Sequence, residues 1–115
     1  RIYERGAYLE KHKDRYSCEV SSTLNLGGTD PWPIWLKDTK NKNIEVILNP
    51  TDMLIYSGCE LEHWRETFNG DRCVQVFLHY NDTSNKKWEE NKYDGRPHLG
   101  LPVDFKNVKI DVKSK

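Results

Sequence analysis

The sequence predicts an all-β core of about eight strands, arranged as a sandwich, a barrel or a jelly-roll. Three observations indicate this fold class: eight short runs are rich in β-forming residues, turn-forming residues separate them, and no helical periodicity exceeds about two turns. A length of 115 residues fits one domain with a modest core. We therefore interpret residues 1–115 as a single domain, with its core over residues 2–81 and a C-terminal extension over residues 82–115.

The predicted strands are bounded by residues that favour turns. The first two runs, residues 2–4 and 7–12, are separated by an Arg-Gly pair. The third run, residues 18–26, ends at a Gly-Gly pair, and the fourth, residues 34–37, follows a Pro-Trp-Pro segment. The fifth and sixth, residues 44–48 and 53–56, flank an Asn-Pro turn, and the last two, residues 61–65 and 73–80, flank an Asn-Gly-Asp turn. Beyond them, residues 81–91 predict a loop or a short surface helix, and residues 103–112 alternate as in one more edge strand.

Composition and charge argue against several classes of partner. The 18 Lys and Arg residues balance the 18 Asp and Glu residues, whereas proteins that bind nucleic acid or membrane surfaces usually carry a basic excess. No apolar run approaches the length of a membrane span, so we expect neither a membrane nor a nucleic-acid partner. Three cysteines without a Cys-x-x-Cys pair fit reduced thiols and a cytoplasmic location. The chain begins at Arg1 without a start Met, and we expect further elements upstream.

The chemistry is carried by a His-x-Asp motif and a distant histidine. His12 and Asp14 lie two residues apart, so on an extended strand they point to the same side. His63 follows about fifty residues later, in the seventh predicted strand. Two histidines and one carboxylate form the facial triad of non-haem Fe(II) oxygenases, which leaves three coordination positions open. A 2-oxo acid can take two of these positions and dioxygen the third, so the sequence predicts an iron site at His12, Asp14 and His63.

The sequence predicts that Arg72 holds the far carboxylate of such a 2-oxo acid. Arg72 lies nine residues after His63, and a guanidinium is always charged and matches a carboxylate in shape. Alternation in the eighth strand groups Arg72 with three apolar residues, so we expect this face to be the interior and His79 to lie on the outer face. Arg65 shares a face with His63, and we expect it to point toward the open mouth of the site.

These motifs together resemble a known family. The sequence resembles the prolyl 4-hydroxylase-like branch of the Fe(II)/2-oxoglutarate-dependent oxygenases over about residues 3–80. The resemblance implies a double-stranded β-helix with flanking helices short or missing, and Fe(II) and 2-oxoglutarate as cofactors, with dioxygen consumed and ascorbate as a possible reductant. It also implies hydroxylation of an unactivated C–H bond in a prolyl residue of a peptide or protein. The residues that carry it are Tyr3, Gly6, Tyr8, Leu9, His12, Asp14, Leu24, Asn25, residues 52–56, His63 and residues 72–76.

The resemblance also suggests roles for further residues. Tyr3 and Tyr8 would line the 2-oxoglutarate pocket, and packing in the core is the competing interpretation of both. Thr23 stands where family members often carry a tyrosine before a Leu-Asn pair, so its hydroxyl has a shorter reach toward the co-substrate. The candidates for contact with the primary substrate are Arg65, Trp64, Arg15 and Trp32. For the tryptophans, closure of the barrel ends is the competing interpretation.

Two alternatives to a peptidyl-proline hydroxylase remain open. One is a hydroxylase of a free amino acid or another small metabolite, because fold and co-substrate do not fix the substrate. The other is a non-enzymatic jelly-roll that binds a metal or another ligand. Scattered cysteines argue against a closed structural zinc site, which favours Cys and needs four protein ligands.

Overall fold

The structure, a computed structural model, describes residues 1–92 and contains two four-stranded antiparallel β-sheets. One sheet has the strand order β1-β8-β3-β6 and the other has the order β2-β7-β4-β5. Strands that follow one another in sequence mostly alternate between the two sheets, which is the connectivity of a jelly-roll, or double-stranded β-helix. The predicted fold class is therefore confirmed. Within residues 1–92, no helix is long and apolar enough to span a membrane.

All eight predicted strands are present, with boundaries close to those expected from the turn residues. The helices in the described part are a 3-10 turn, Tyr16–Cys18, and a short helix α1, Trp88–Asn91, within the polar segment predicted as a loop or a surface helix. The edge strand predicted at residues 103–112 lies outside the described residues. The strands are β1 (Ile2–Glu4), β2 (Leu9–His12), β3 (Val20–Gly28), β4 (Ile34–Lys37), β5 (Asn43–Val46), β6 (Met53–Tyr56), β7 (His63–Arg65) and β8 (Arg72–Tyr80).

The pairing of β2 with β7 brings the two predicted histidine ligands together. His12 is the register partner of His63, although 51 residues separate them in the sequence. On its other side β7 pairs with β4, where His63 lies opposite Leu36. His63 is therefore held in a strand with neighbours on both sides, whereas His12 ends an edge strand of the same sheet.

The faces of β8 are reversed relative to the sequence prediction. Cys73 and Gln75 are buried and His79 lines the cleft between the sheets, while Arg72 lies on the outer, exposed face. The prediction that Arg72 faces the interior and His79 the outside is therefore wrong. The prediction assigned the apolar face of β8 to the interior, but the outer surface of this sheet carries many apolar side chains. Those that are exposed are Ile2, Leu26, Met53, Ile55, Leu78 and Tyr80.

The space between the sheets holds a small apolar cluster, the further buried apolar residues Ile34 and Leu36, and many polar side chains. Trp32, Phe68 and Cys73 form the hydrophobic cluster, with Tyr3 and Ala7 packed against it. The remaining buried positions are largely polar, which is unusual for a packed core and is typical of a lined binding site. The buried polar residues are Ser21, Ser22, Thr23, Asn25, His63, Arg65 and Gln75.

Candidate metal centre and ligand cleft

Three side chains converge at one end of the space between the sheets. Nε2 of His12 and Nε2 of His63 each lie 3.3 Å from Oδ1 of Asp14. The ligand atoms of all three residues lie within 4.8 Å of one another, and the group could hold a metal ion. His63 is 2% exposed, whereas His12 and Asp14 are half-buried at the cleft. The structure therefore brings together the three residues that the sequence analysis proposed as metal ligands.

Backbone carbonyl groups orient both imidazole rings. Nδ1 of His12 lies 2.7 Å from the carbonyl oxygen of Glu10, and Nδ1 of His63 lies 2.9 Å from that of Leu61. A carbonyl oxygen can only accept, so Nδ1 carries the proton in both rings. Nε2 of each ring therefore faces Asp14, and loss of its proton would leave a lone pair for a metal ion, which is how protein metal sites commonly fix their histidine ligands.

The carboxylate of Asp14 is held from its far side. Ser21 Oγ donates a hydrogen bond of 2.7 Å to Oδ2, which leaves Oδ1 directed at the two histidines. The backbone N–H of Asp14 donates to the carbonyl of Gly58 at 2.8 Å. A Cβ at position 58 would lie only 2.2 Å from both Asp14 Oδ2 and Ser21 Oγ, so glycine is required there by the close approach. Asp14 is therefore fixed by its surroundings before any ion binds.

The pKa values of Asp14 and His63 are shifted in the directions that favour the charged form of each group. Burial raises the pKa of Asp14, but hydrogen bonds from His63 and Ser21 and the nearby histidine charges outweigh it and lower the pKa from 3.8 to about 2. Burial lowers the pKa of His63, but the hydrogen bond to Asp14 and the Leu61 carbonyl outweigh it and raise the pKa above 6.5. The carboxylate is thus ionised at neutral pH, as a metal ligand must be.

The donor set fits a divalent transition metal. Ligand bonds of about 2.1 Å at right angles would separate neighbouring ligand atoms by about 3.0 Å. The two nitrogen–oxygen distances of 3.3 Å differ little from that value. Two imidazoles and one carboxylate on one side of an ion leave the opposite positions open to other ligands.

The three residues open onto a cleft of about 460 Å³ between the sheets. Tyr56, on β6, places its ring edge against His63 with ring centroids 4.9 Å apart, and burial together with the Asp14 charge raises its pKa. Phe77 and His79 of β8 line the same cleft. None of these three residues is among the site candidates from the sequence. Assigning the other face of β8 to the interior would have indicated Phe77 and His79. The full lining is Arg1, Tyr3, Leu9, His12, Lys13, Asp14, Arg15, Cys18, Tyr56, His63, Phe77 and His79.

Arg65 is a buried cation behind the cleft. Its side chain lies on the same face of β7 as His63 but is 3% exposed, so the expectation that it points to the open mouth is wrong. The guanidinium donates to the Trp32 carbonyl, lies 3.5 Å from Thr23 Oγ1 and stacks 4.9 Å from the Trp32 ring centroid. No carboxylate of residues 1–92 forms an ion pair with it. Burial lowers its pKa.

A short polar network continues from Arg65 across to the other sheet. Thr23 is fully buried and its hydroxyl donates to Gln75 Oε1 at 2.9 Å, while Gln75 Nε2 donates to Cys73 Sγ at 3.2 Å. Thr23, proposed for the co-substrate pocket, thus lies beside Arg65. Tyr3 connects this network to the cleft, since it lines the cleft and packs edge-on against Trp32 with ring centroids 5.0 Å apart.

Of the remaining residues proposed from the sequence, Arg15 and Trp32 belong to this arrangement, and Tyr8 and Trp64 lie apart from it. Arg15 lines the cleft. Tyr8 is 62% exposed and does not line it. Trp64 lies on the outer face of its sheet, stacked on Trp35 with centroids 6.1 Å apart and with Lys11 Nζ 4.1 Å from its ring centroid. Trp32 belongs to the hydrophobic cluster and does not line the cleft.

Comparison with known proteins supports the fold. A solved structure of a Pseudomonas putida prolyl-4-hydroxylase matches with a TM-score of 0.57 and 18% sequence identity, covering 71% of this chain and 49% of that chain. The chain has the fold of a prolyl-4-hydroxylase. It spans about half the length of that enzyme. No family model matches the sequence, and no curated protein does.

Proposed function

We propose that this protein is an Fe(II)- and 2-oxoglutarate-dependent dioxygenase that hydroxylates an unactivated C–H bond. The observation that carries the proposal is the arrangement of His12, Asp14 and His63, with both Nε2 atoms and one carboxylate oxygen directed to a common point. The solved neighbour with this fold is a prolyl-4-hydroxylase. When bound, iron and 2-oxoglutarate would supply the activation of dioxygen that C–H hydroxylation requires.

The protein's own contribution begins with holding the ion. His12 and His63 would bind through Nε2, oriented by their hydrogen bonds to backbone carbonyls, and Asp14 through Oδ1, oriented by Ser21. One carboxylate leaves a net positive charge on a ferrous site, which favours an anionic co-substrate. Tyr56 covers His63 from the side of the cleft and restricts the access of water to the ligand.

Arg65 would bind the far carboxylate of 2-oxoglutarate. A buried guanidinium without a carboxylate partner is costly, because its desolvation is not offset by an opposite charge. A dicarboxylate that reaches from the metal to Arg65 would provide that charge, and Thr23 would add a hydroxyl beside it. Arg72 is exposed on the outer face, so we assign this role to Arg65 in its place.

A prolyl residue of a peptide or protein is the substrate class that we propose. The solved neighbour is named for hydroxylation of proline. Arg15, His79 and Phe77 line the cleft and would contact the part of the substrate that projects from it. A free amino acid or another small metabolite is the alternative that the same cleft would admit.

The first test is the visible charge-transfer band that forms when 2-oxoglutarate chelates protein-bound Fe(II) without oxygen. We expect the wild-type protein to show the band and Asp14→Ala to lose it. Asp71→Ala is the matched control, because Asp71 is an exposed carboxylate paired only with Arg5 on the surface, and it should keep the band. Folded, iron-containing wild-type protein without the band would reject the oxygenase and favour a jelly-roll that binds a metal without catalysis.

The second test identifies the substrate class. Succinate release would be measured with a proline-containing peptide and with free proline, each against a peptide in which alanine replaces proline. Stimulation by the proline peptide alone supports the proposal. Stimulation by free proline alone would transfer the assignment to small-molecule hydroxylation, while the cofactor assignment would stand.

A further inference from the structure

A second group of metal-ligating side chains lies in the same cleft. Cys18, His79 and Asp14 each place one ligand atom within 4.8 Å of the others, and these atoms are a thiol sulfur, an imidazole nitrogen and a carboxylate oxygen. Cys18 ends the 3-10 turn that follows Asp14, and His79 lies on the inner face of β8. Neither residue belongs to the two-histidine site, so the cleft contains two ligand sets that share Asp14.

The two ligand sets differ in chemistry. The first offers two imidazoles and a carboxylate, whereas the second adds a thiol, which is the ligand that zinc-like cations favour. We propose that Cys18, His79 and Asp14 form a second metal site in the cleft, selective for a thiophilic divalent cation such as Zn(II). Three protein ligands would leave one tetrahedral position for water or another ligand.

The positions of Cys18 and His79 allow them to bind one tetrahedral metal ion together with Asp14. Tetrahedral zinc with a sulfur bond of about 2.3 Å and a nitrogen bond of about 2.0 Å separates those ligand atoms by about 3.5 Å. Since the ligand atoms lie within 4.8 Å of one another, the side chains need to approach by at most about 1.3 Å. His79 is exposed at the cleft and its ring can rotate, while Cys18 is positioned by its backbone hydrogen bond to the Arg15 carbonyl at 2.8 Å. The movement thus falls mainly on an exposed side chain.

Sharing Asp14 couples the two sites. Oδ1 of Asp14 faces the two histidines, and Oδ2 accepts the hydrogen bond from Ser21. A cation held by Cys18 and His79 would share the single negative charge of this carboxylate with an ion at the first site, and the two cations would repel each other. Zinc at the second site is thus expected to weaken metal binding by His12 and His63, whatever reaction the first site performs.

Cobalt(II) distinguishes the two sites because only the second contains sulfur. Co(II) added to the full metal-free chain should give a near-ultraviolet thiolate-to-cobalt charge-transfer band, in addition to the weaker visible bands. Cys18→Ser should abolish the thiolate band, whereas Cys59→Ser, the matched change at a cysteine outside the site, should keep it. His12→Ala should keep the thiolate band, which separates this site from the proposed iron site.

His79 provides a second variant that does not disturb the interior. Its side chain is exposed, so His79→Gln should fold normally and weaken the cobalt affinity measured by the thiolate band by roughly 10-fold or more. Zn(II) should displace this cobalt, because zinc binds such ligands more tightly. The proposal is overturned if wild-type protein gives no thiolate band, if the band survives Cys18→Ser, or if Zn(II) leaves it unchanged.

Discussion

Replacing Arg65 with methionine separates a ligand-binding cation from a structural one. Methionine is an unbranched apolar side chain that can pack on the Trp32 ring, where the Arg65 guanidinium now lies, and it removes the charge. Arg72→Met is the matched control, since Arg72 is an arginine on the exposed outer face of β8. If Arg65 binds the far carboxylate of 2-oxoglutarate, only the first variant should lose co-substrate affinity.

The size of the effect follows from the burial of Arg65. A hydrogen bond to a charged group contributes about 1.5–3 kcal/mol, so loss of the guanidinium–carboxylate pair should weaken 2-oxoglutarate binding by roughly 10- to 150-fold. The free energy of unfolding of the ligand-free protein should change much less, because two effects oppose each other. Removing a buried charge that has no carboxylate partner among residues 1–92 stabilises the fold, while losing the bond to the Trp32 carbonyl destabilises it. The free energy of unfolding should therefore change by less than about 2 kcal/mol, below the roughly 3–5 kcal/mol typical of a broken buried ion pair.

Two measurements on the same samples decide the outcome. The charge-transfer band titrated with 2-oxoglutarate under anaerobic conditions gives the affinity, and denaturant unfolding of the metal-free protein gives the stability. We expect Arg65→Met to lose affinity at nearly unchanged stability and Arg72→Met to change neither. Wild-type affinity in Arg65→Met combined with a loss in Arg72→Met would refute the assignment and return the role to Arg72.

Three further predictions concern the metal ligands. Gly58→Ala would place a methyl group 2.2 Å from the present positions of Asp14 Oδ2 and Ser21 Oγ, so the carboxylate must move. Mn(II) affinity measured by calorimetry should therefore fall by roughly 10- to 100-fold. Unchanged affinity would show that the loop around Gly58 adapts to the methyl group. Ser21→Ala removes the donor to Oδ2 and should raise the Asp14 pKa toward 3.8, observable by NMR titration of the metal-free protein; a pKa that stays near 2 would assign the shift to the two histidines. Because the folded pKa of Asp14 is lowered from 3.8 to about 2, its ionisation stabilises the metal-free fold above pH 3.8, and this contribution is lost as the pH falls through 2. Asp14→Asn should therefore cost about 1–2 kcal/mol more at pH 6 than at pH 2, after allowance for partial exposure, and an equal cost at both values would contradict the pKa shift.

The amino-acid sequence by itself determined the number and order of the strands and the metal-ligand candidates. Turn residues mark the ends of each strand, and their effect is local, so all eight strands were predicted close to their observed boundaries. The His-x-Asp spacing places His12 and Asp14 on one side of the chain by strand geometry alone. No local rule connects residues 51 positions apart, so the distant His63 was joined to this pair by ligand chemistry, since two histidines and one carboxylate form the facial triad.

Only the tertiary structure decided which face of each strand is interior. Alternation sorts the residues of β8 into two sets, but the pairing of β8 with β1 and β3 fixes which set faces the other sheet. Hydrophobicity selected the wrong set because the interior is a polar cleft and the outer surface is apolar. This is why Arg72 is predicted to lie inside, whereas Arg65 is predicted to lie at the mouth because it follows His63 by only two residues. The structure instead exposes Arg72 and buries Arg65. Burial of a charge depends on the opposite sheet, and the sequence of one strand does not contain that information.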